Sequence, residues 1–175
     1  GELGYALGTA YGAGLNRPDE LITVLIGDGE LETATALASL NLRKLVSGQT
    51  HAHILPILHL NGYKISGPTI YGRASERELL NLFRGFGYDP VIVSGDNIEE
   101  FQLALQAVKP NTFIIMKTAK GATGPKELNG EKIADNYLSH QVPLPDAKTN
   151  PEQLQMLEDW LKSYKLEELQ DEFTR

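Results

Sequence analysis

Short, almost continuous apolar runs alternate with amphipathic stretches along this chain. The runs at 21–26, 54–60, 90–94 and 112–118 are rich in Ile, Leu and Val and are bounded by Gly, Asn, Asp or Pro. That is the pattern of strands buried on both faces. Between them, apolar residues recur at helical spacing. Residues 2–15 carry Leu3, Ala6, Leu7, Ala10, Tyr11 and Ala13, and residues 31–46 carry Leu31, Ala34, Leu37, Leu40, Leu42 and Leu45. Helices are also predicted over 76–85 and 98–108. Ser75 and Glu78 form a capping box for the first, and Asn97 starts the second. Residues 119–149 read as a long loop punctuated by Gly121, Gly124, Pro125, Gly130, Pro143 and Pro145, and 151–164 as an acidic amphipathic helix. Alternation of this kind predicts an α/β fold, an open, mostly parallel sheet with helices on both faces. The expected organisation is one domain over 1–149, followed by a C-terminal helix and tail over 150–175. Gly1-Glu2-Leu3-Gly4 reads as a turn running into a helix, so the chain is expected to be part of a longer polypeptide.

Composition narrows the partners. The 175 residues include 41% hydrophobic and 22% charged positions, as expected of a globular protein able to bury a core. A net charge of −7 is the wrong sign for a nucleic-acid or anionic-membrane surface. The absence of cysteine excludes disulfides, thiolate nucleophiles and Cys-zinc sites in this chain. No apolar run approaches the ~20 residues of a membrane span. The expectation is a cytoplasmic protein with neither nucleic acid nor membrane as partner.

Ligands of open parallel sheets bind at the carboxyl ends of the strands. Three polar groups fall there: Gly27-Asp28-Gly29-Glu30, Asn61-Gly62-Tyr63 and Thr118-Ala119-Lys120. Glycines on either side of Asp28 allow backbone to approach a ligand closely. A following helix offers N–H groups and a positive dipole end to phosphate. Asp28 offers a hard oxygen to Mg²⁺, Asn61 a neutral one, and the Tyr63 carbonyl a third. The bland alternatives are an N-cap at Asp28 and a simple Asn-Gly turn. Right-handed connection of the two strands makes them neighbours, which favours one shared site.

Gly27-Asp28-Gly29 followed by Asn61 resembles the thiamine diphosphate signature, in which Gly-Asp-Gly precedes Asn-Asn. Here the spacer is longer and Gly62 replaces the second Asn. Those departures fit a narrower resemblance. The stretches 1–7 (GELGYAL), 55–65 (LPILHLNGYKI), 121–126 (GATGPK) and 140–144 (HQVPL) are similar to phosphoketolases, and the resemblance covers nearly the whole chain. It implies a thiamine diphosphate-binding fold and the cofactors thiamine diphosphate and Mg²⁺. The implied substrates are xylulose 5-phosphate, often fructose 6-phosphate, and inorganic phosphate, with acetyl phosphate and an aldose phosphate as products. It implies Asp28, Asn61 and Tyr63 as metal ligands. Gly1, Gly29, Glu30, Asn61 and Lys120 are implied at the cofactor. Lys120 and His140 are implied as catalytic bases, with Gln141 beside them. A homodimer is implied too, because the cofactor lies between this domain and another subunit. His59 is close enough in sequence to orient Asn61. Ala119 and Ala122 replace a Pro and a Trp common in the family. The resemblance places further catalytic histidines, and the glutamate that activates the cofactor's aminopyrimidine ring, outside this chain, so the isolated chain is expected to lack full activity. A transketolase-like thiamine enzyme and a non-catalytic phosphate- or nucleotide-binding module remain the alternatives.

Overall fold

All four apolar runs become strands of one parallel sheet. The computed structural model describes residues 2–46, 48–140 and 142–168. In chain order, α1 (Ala6–Ala13) leads to β1 (Leu21–Gly27), α2 (Asp28–Leu31) and α3 (Ala34–Ser39), which a 3-10 turn (Leu40–Lys44) extends. Next come β2 (His53–Leu60), the small hairpin strands β3 (Tyr63–Lys64) and β4 (Gly67–Pro68), then α4 (Ile70–Arg73) and α5 (Glu76–Gly85). β5 (Asp89–Ser94), α6 (Ile98–Gln106) and β6 (Thr112–Lys117) complete the first of two compact units, Gly1–Thr118. The strand order is β1-β2-β6-β5, so β1 and β2 are neighbours as expected, with Gly27 opposite His59.

Alternation along the strands builds two cores. Val24, Ile26, Ile54, Leu58, Leu60, Phe113 and Ile115 face one way. They pack against Leu7 and Ala10 of α1, Leu31 of α2, Ala36 of α3, and Leu79 and Phe83 of α5. Phe83 and Phe113 stack with ring centroids 4.0 Å apart. Leu55, Ile57, Val93 and Ile114 face the other way, against Phe101 and Ala104 of α6. Helices therefore lie on both faces, but unequally. Leu21 and Leu25 of β1, on the second face by alternation, are more than half exposed.

The predicted helices differ in detail. The helix expected over 31–46 is broken. Thr33 is extended (φ −74°, ψ 146°), and its hydroxyl accepts the Ala36 N–H, so it caps a new helix rather than continuing the old one. The helix expected from residue 2 begins at Ala6. Gly4 has φ +95°, and a Cβ there would lie 2.1 Å from Thr33 Oγ1, so the glycine packs directly on the break. The Ser75–Glu78 capping box forms as expected. So does the helix after Asn150, now α7 (Pro151–Ser163) of the second unit, Ala119–Arg175.

The loop expected over 119–149 is not structureless. It contains a hairpin of β7 (Glu127–Leu128) and β8 (Glu131–Lys132) and a 3-10 turn at Tyr137–Ser139. The hairpin turns on Asn129-Gly130, both at positive φ, the preferred two-residue sequence for such a turn. Within this unit Gly124 packs against the indole of Trp160, whose Nε1 donates to the Tyr164 hydroxyl at 2.9 Å.

Candidate functional site

β1 ends at Gly27, still extended, and Asp28 opens the next turn. The strand thus delivers the carboxylate to its own carboxyl end, where it is 2% exposed. Three donors converge on it. Gly29 N–H reaches Oδ1 at 2.9 Å. Gly62 N–H and the Thr69 hydroxyl reach Oδ2 at 2.7 and 2.9 Å. Hydrogen bonds of this kind fix the orientation of a carboxylate.

The partner strand supplies the other half. β2 runs out at Leu60, and the Asn61 Oδ1 accepts the Tyr63 N–H at 3.1 Å, closing an Asx-type turn. Gly62 inside that turn has φ +84°, a conformation that favours glycine. Because Gly62 donates to Asp28, the two expected metal-ligating segments are joined by a direct hydrogen bond. Tyr63 follows as the first residue of β3.

α4 locks this turn from outside. Thr69 N–H donates to the Gly62 carbonyl at 2.9 Å, and the Thr69 hydroxyl accepts the Gly72 N–H at 3.0 Å. A Cβ on Gly72 would lie 2.6 Å from the Gly62 Cα and carbonyl oxygen, so helix backbone touches turn backbone. A second anchor is Glu32. It pairs with Lys64 and accepts the Ile70 N–H at 2.6 Å. Burial alone raises the Glu32 carboxyl, but Lys64 and the Ile70 N–H outweigh it and hold the group below the usual carboxylate range. Neither Thr69 nor Glu32 was singled out from the sequence; Thr69-x-x-Gly72 preceding a helical turn was the available signal.

The donor set suits a hard divalent cation. Three bonds leave the Asp28 carboxylate with acceptor capacity to spare. No Lys, Arg or His lies within ion-pair distance of it among the described residues. Nor do three or more His, Asp or Glu cluster anywhere among them. A metal here would draw on one carboxylate plus amide and carbonyl oxygens, the Mg²⁺ pattern rather than the zinc one.

Some expected roles change. α2 has only four residues before the Thr33 break, so a diphosphate here meets one turn of N–H groups, not the dipole of a long helix. Gly29 N–H is engaged by Asp28 itself, and the Glu30 carboxylate accepts the Gly4 N–H at 3.2 Å. The His59 Nε2 lies 2.7 Å from the Thr118 hydroxyl, so its bond runs to the end of β6 and not to Asn61. Gly1 and Gln141 fall outside the described residues. Lys120 and His140 belong to the second unit. There Gly121 approaches Ser139 so closely that a Cβ would lie 2.7 Å away. The residues next to Lys120 and His140 thus touch, although the two lie far apart in sequence. The Lys120 carbonyl accepts the Asp135 N–H at 2.7 Å, and His140 is exposed.

The amino ends of the strands hold a separate cavity of about 390 Å³, lined by Tyr11, Arg43, His51, His53, Tyr88 and Asn111 among others. The Tyr11 and Tyr88 hydroxyls bond at 2.9 Å, and the Arg43 guanidinium lies over the Tyr88 ring. Burial pushes both phenols up, so they stay protonated. His51 is buried with its Nδ1 2.8 Å from the Ala52 carbonyl and its Nε2 2.7 Å from the Tyr11 carbonyl. Arg43 Nε and His53 Nε2 are buried without hydrogen-bond partners.

The chain matches the family described as the XFP N-terminal domain, over residues 1–109 and 100–175. It is 42% identical to a probable phosphoketolase of Thermosynechococcus vestitus and 43% identical to one of Streptomyces avermitilis. In both comparisons 98% of this chain is covered and 24% of the relative, so the chain spans about a quarter of their length. Among solved structures it resembles a transketolase of Campylobacter jejuni (TM-score 0.59, 22% identity, 78% of this chain and 22% of that one). A transketolase mutant of Pichia stipitis also gives a TM-score of 0.59, at 20% identity, over 90% of this chain and 23% of that one. At that identity the likeness shows the fold, the open parallel α/β sheet expected from the sequence.

Proposed function

Because the chain belongs to the XFP N-terminal domain family, we propose that it is the diphosphate-binding part of a thiamine diphosphate-dependent phosphoketolase. The observation that carries this reading is the buried Asp28 carboxylate, tied to the Asn61 turn through Gly62 and, among the described residues, without a cationic side chain in ion-pair distance. In this reading Asp28, Asn61 and the Tyr63 carbonyl hold Mg²⁺. Glu30 presents its backbone N–H to the diphosphate, Gly29 lets the backbone come close to it while its own N–H holds Asp28, and Gly1 lies against the cofactor. Thiamine diphosphate, when bound, supplies the carbon nucleophile that cleaves the sugar's carbon–carbon bond. The protein's share is to position and to move protons. Lys120, His140 and Gln141 hold phosphate groups, and the two bases carry protons to and from the substrate oxygens.

The substrates in this proposal are xylulose 5-phosphate, with fructose 6-phosphate as a second sugar, and inorganic phosphate. The products are acetyl phosphate and an aldose phosphate. Residues 1–149 act as the diphosphate-binding domain, and 150–175 lead onward. The active form is a cytoplasmic homodimer, and the 175 residues alone lack full activity. The test is acetyl phosphate formation from xylulose 5-phosphate by the full-length protein carrying this domain. Product that requires both thiamine diphosphate and inorganic phosphate is expected. Product that requires an acceptor aldose instead would replace this reading with transketolase chemistry.

A further inference from the structure

The hydroxyl of Thr69 stands at the one point where the candidate metal site, the Asn61 turn and α4 meet. Its side chain is completely buried. It donates to Asp28 Oδ2 at 2.9 Å and accepts the Gly72 N–H at 3.0 Å. A hydroxyl that both donates and accepts has its proton direction fixed. The Gly72 N–H occupies an acceptor site, which leaves the proton aimed at the carboxylate. Backbone fixes the same residue again, since Thr69 N–H donates to the Gly62 carbonyl. Gly62 in turn donates to that same Oδ2.

The arrangement is asymmetric. Oδ2 receives two donors from outside its own turn, Gly62 and Thr69, whereas among the described residues Oδ1 receives only the adjacent Gly29 N–H. The carboxylate plane is therefore set by groups reached through Asn61 and α4, and Oδ1 is the oxygen with more acceptor capacity left. We propose that Thr69 is a positioning residue. Its hydroxyl fixes the rotation of the Asp28 carboxylate so that Oδ1 faces the divalent cation, and it couples cation binding to the docking of α4 on the Gly62 turn. The inference rests on the reading of Asp28 as a metal ligand. It predicts that removing the hydroxyl weakens the cation and not the cofactor as such, because Thr69 touches only the carboxylate and backbone. Groups that orient a metal ligand typically change metal affinity 10–100-fold.

The test uses the full-length protein carrying this domain and reads thiamine diphosphate binding by calorimetry while Mg²⁺ is titrated. Thr69→Val keeps the shape and removes the hydroxyl. The Mg²⁺ concentration for half-saturation is expected to rise about tenfold, with thiamine diphosphate affinity restored at saturating Mg²⁺. Thr69→Ser, which keeps the hydroxyl, is expected to stay within about threefold of wild type. A general packing defect would not be overcome by Mg²⁺, nor rescued by the smaller serine. If Thr69→Val does not fold, Thr69→Ala gives the same comparison without pressing a methyl group against the carboxylate. Unchanged Mg²⁺ dependence in the folded hydroxyl-less variant, or a loss in Thr69→Ser as large as in Thr69→Val, overturns the proposal. Asp28→Ala separates the two levels. If it abolishes Mg²⁺-dependent binding while Thr69→Val has no effect, only the positioning role fails; if it binds like wild type, the metal reading itself fails.

Discussion

The two ends of the parallel sheet both bury polar side chains, yet they use them differently. At the amino end, Tyr11 and Tyr88 bond each other and His51 is wedged between two carbonyls. These contacts join α1 and the 3-10 turn to the starts of β2 and β5, and they involve neutral phenols kept protonated by burial. At the carboxyl end, three donors converge on one carboxylate, and no cationic side chain among the described residues completes it. Buried charge without a partner is expensive. In the proposed reading, a fold that nevertheless fixes such a group with three hydrogen bonds holds it ready for a cation.

Substitutions at the amino end put this contrast at risk. His51→Ala has the largest expected effect on stability. It removes the ring's contacts with the Tyr11 and Ala52 carbonyls and empties the space against Gly14, costing about 3 kcal/mol in urea unfolding. Mg²⁺ affinity in the same variant should be unchanged. A parallel loss of Mg²⁺ binding would mean that the two ends are one cooperative site. Tyr88→Phe removes one hydroxyl from a satisfied pair and is expected to cost about 1 kcal/mol, again without altering Mg²⁺ dependence.

Much of this was legible in the chain. Apolar runs gave the four strands, and Asp28 and Asn61 were recognisable as strand-end neighbours because strand–helix alternation forces a parallel sheet. Thr69 was not legible. It lies outside both motifs, and only the fold of the β3–β4 hairpin brings it back onto Asp28. The break at Thr33 was also hidden, because Leu31, Leu37 and Leu40 keep helical spacing across it. The β-branched threonines are poor helix formers, and a capping hydroxyl outweighed the periodicity. Asn129-Gly130 was a visible turn signal, but the strands around it are too short to show alternation.

The smallest effect is on pH dependence. Burial lowers the His53 imidazole below its ordinary value, while Glu32 is held below the carboxylate range. Both folded values are depressed, so both contributions are complete at high pH and are lost as pH falls. For His53 the loss begins near its unfolded value of about 6.5. For Glu32 it begins in the unfolded carboxylate range near about 4.3 and continues through the folded value. Stability measured from pH 8 downward should therefore decline in two steps. His53→Gln should remove the upper step, and Glu32→Gln should shrink the lower, to which the Glu78 carboxyl, held down by its bonds from Ser75, also contributes.

The central claim concerns Asp28, and the most direct measurement is thiamine diphosphate binding to the full-length protein with and without Mg²⁺, wild type against Asp28→Ala. The account predicts Mg²⁺-dependent binding in wild type and a loss of about a hundredfold or more in the variant, with the fold intact by unfolding midpoint. Equal, Mg²⁺-dependent binding in both proteins would contradict it.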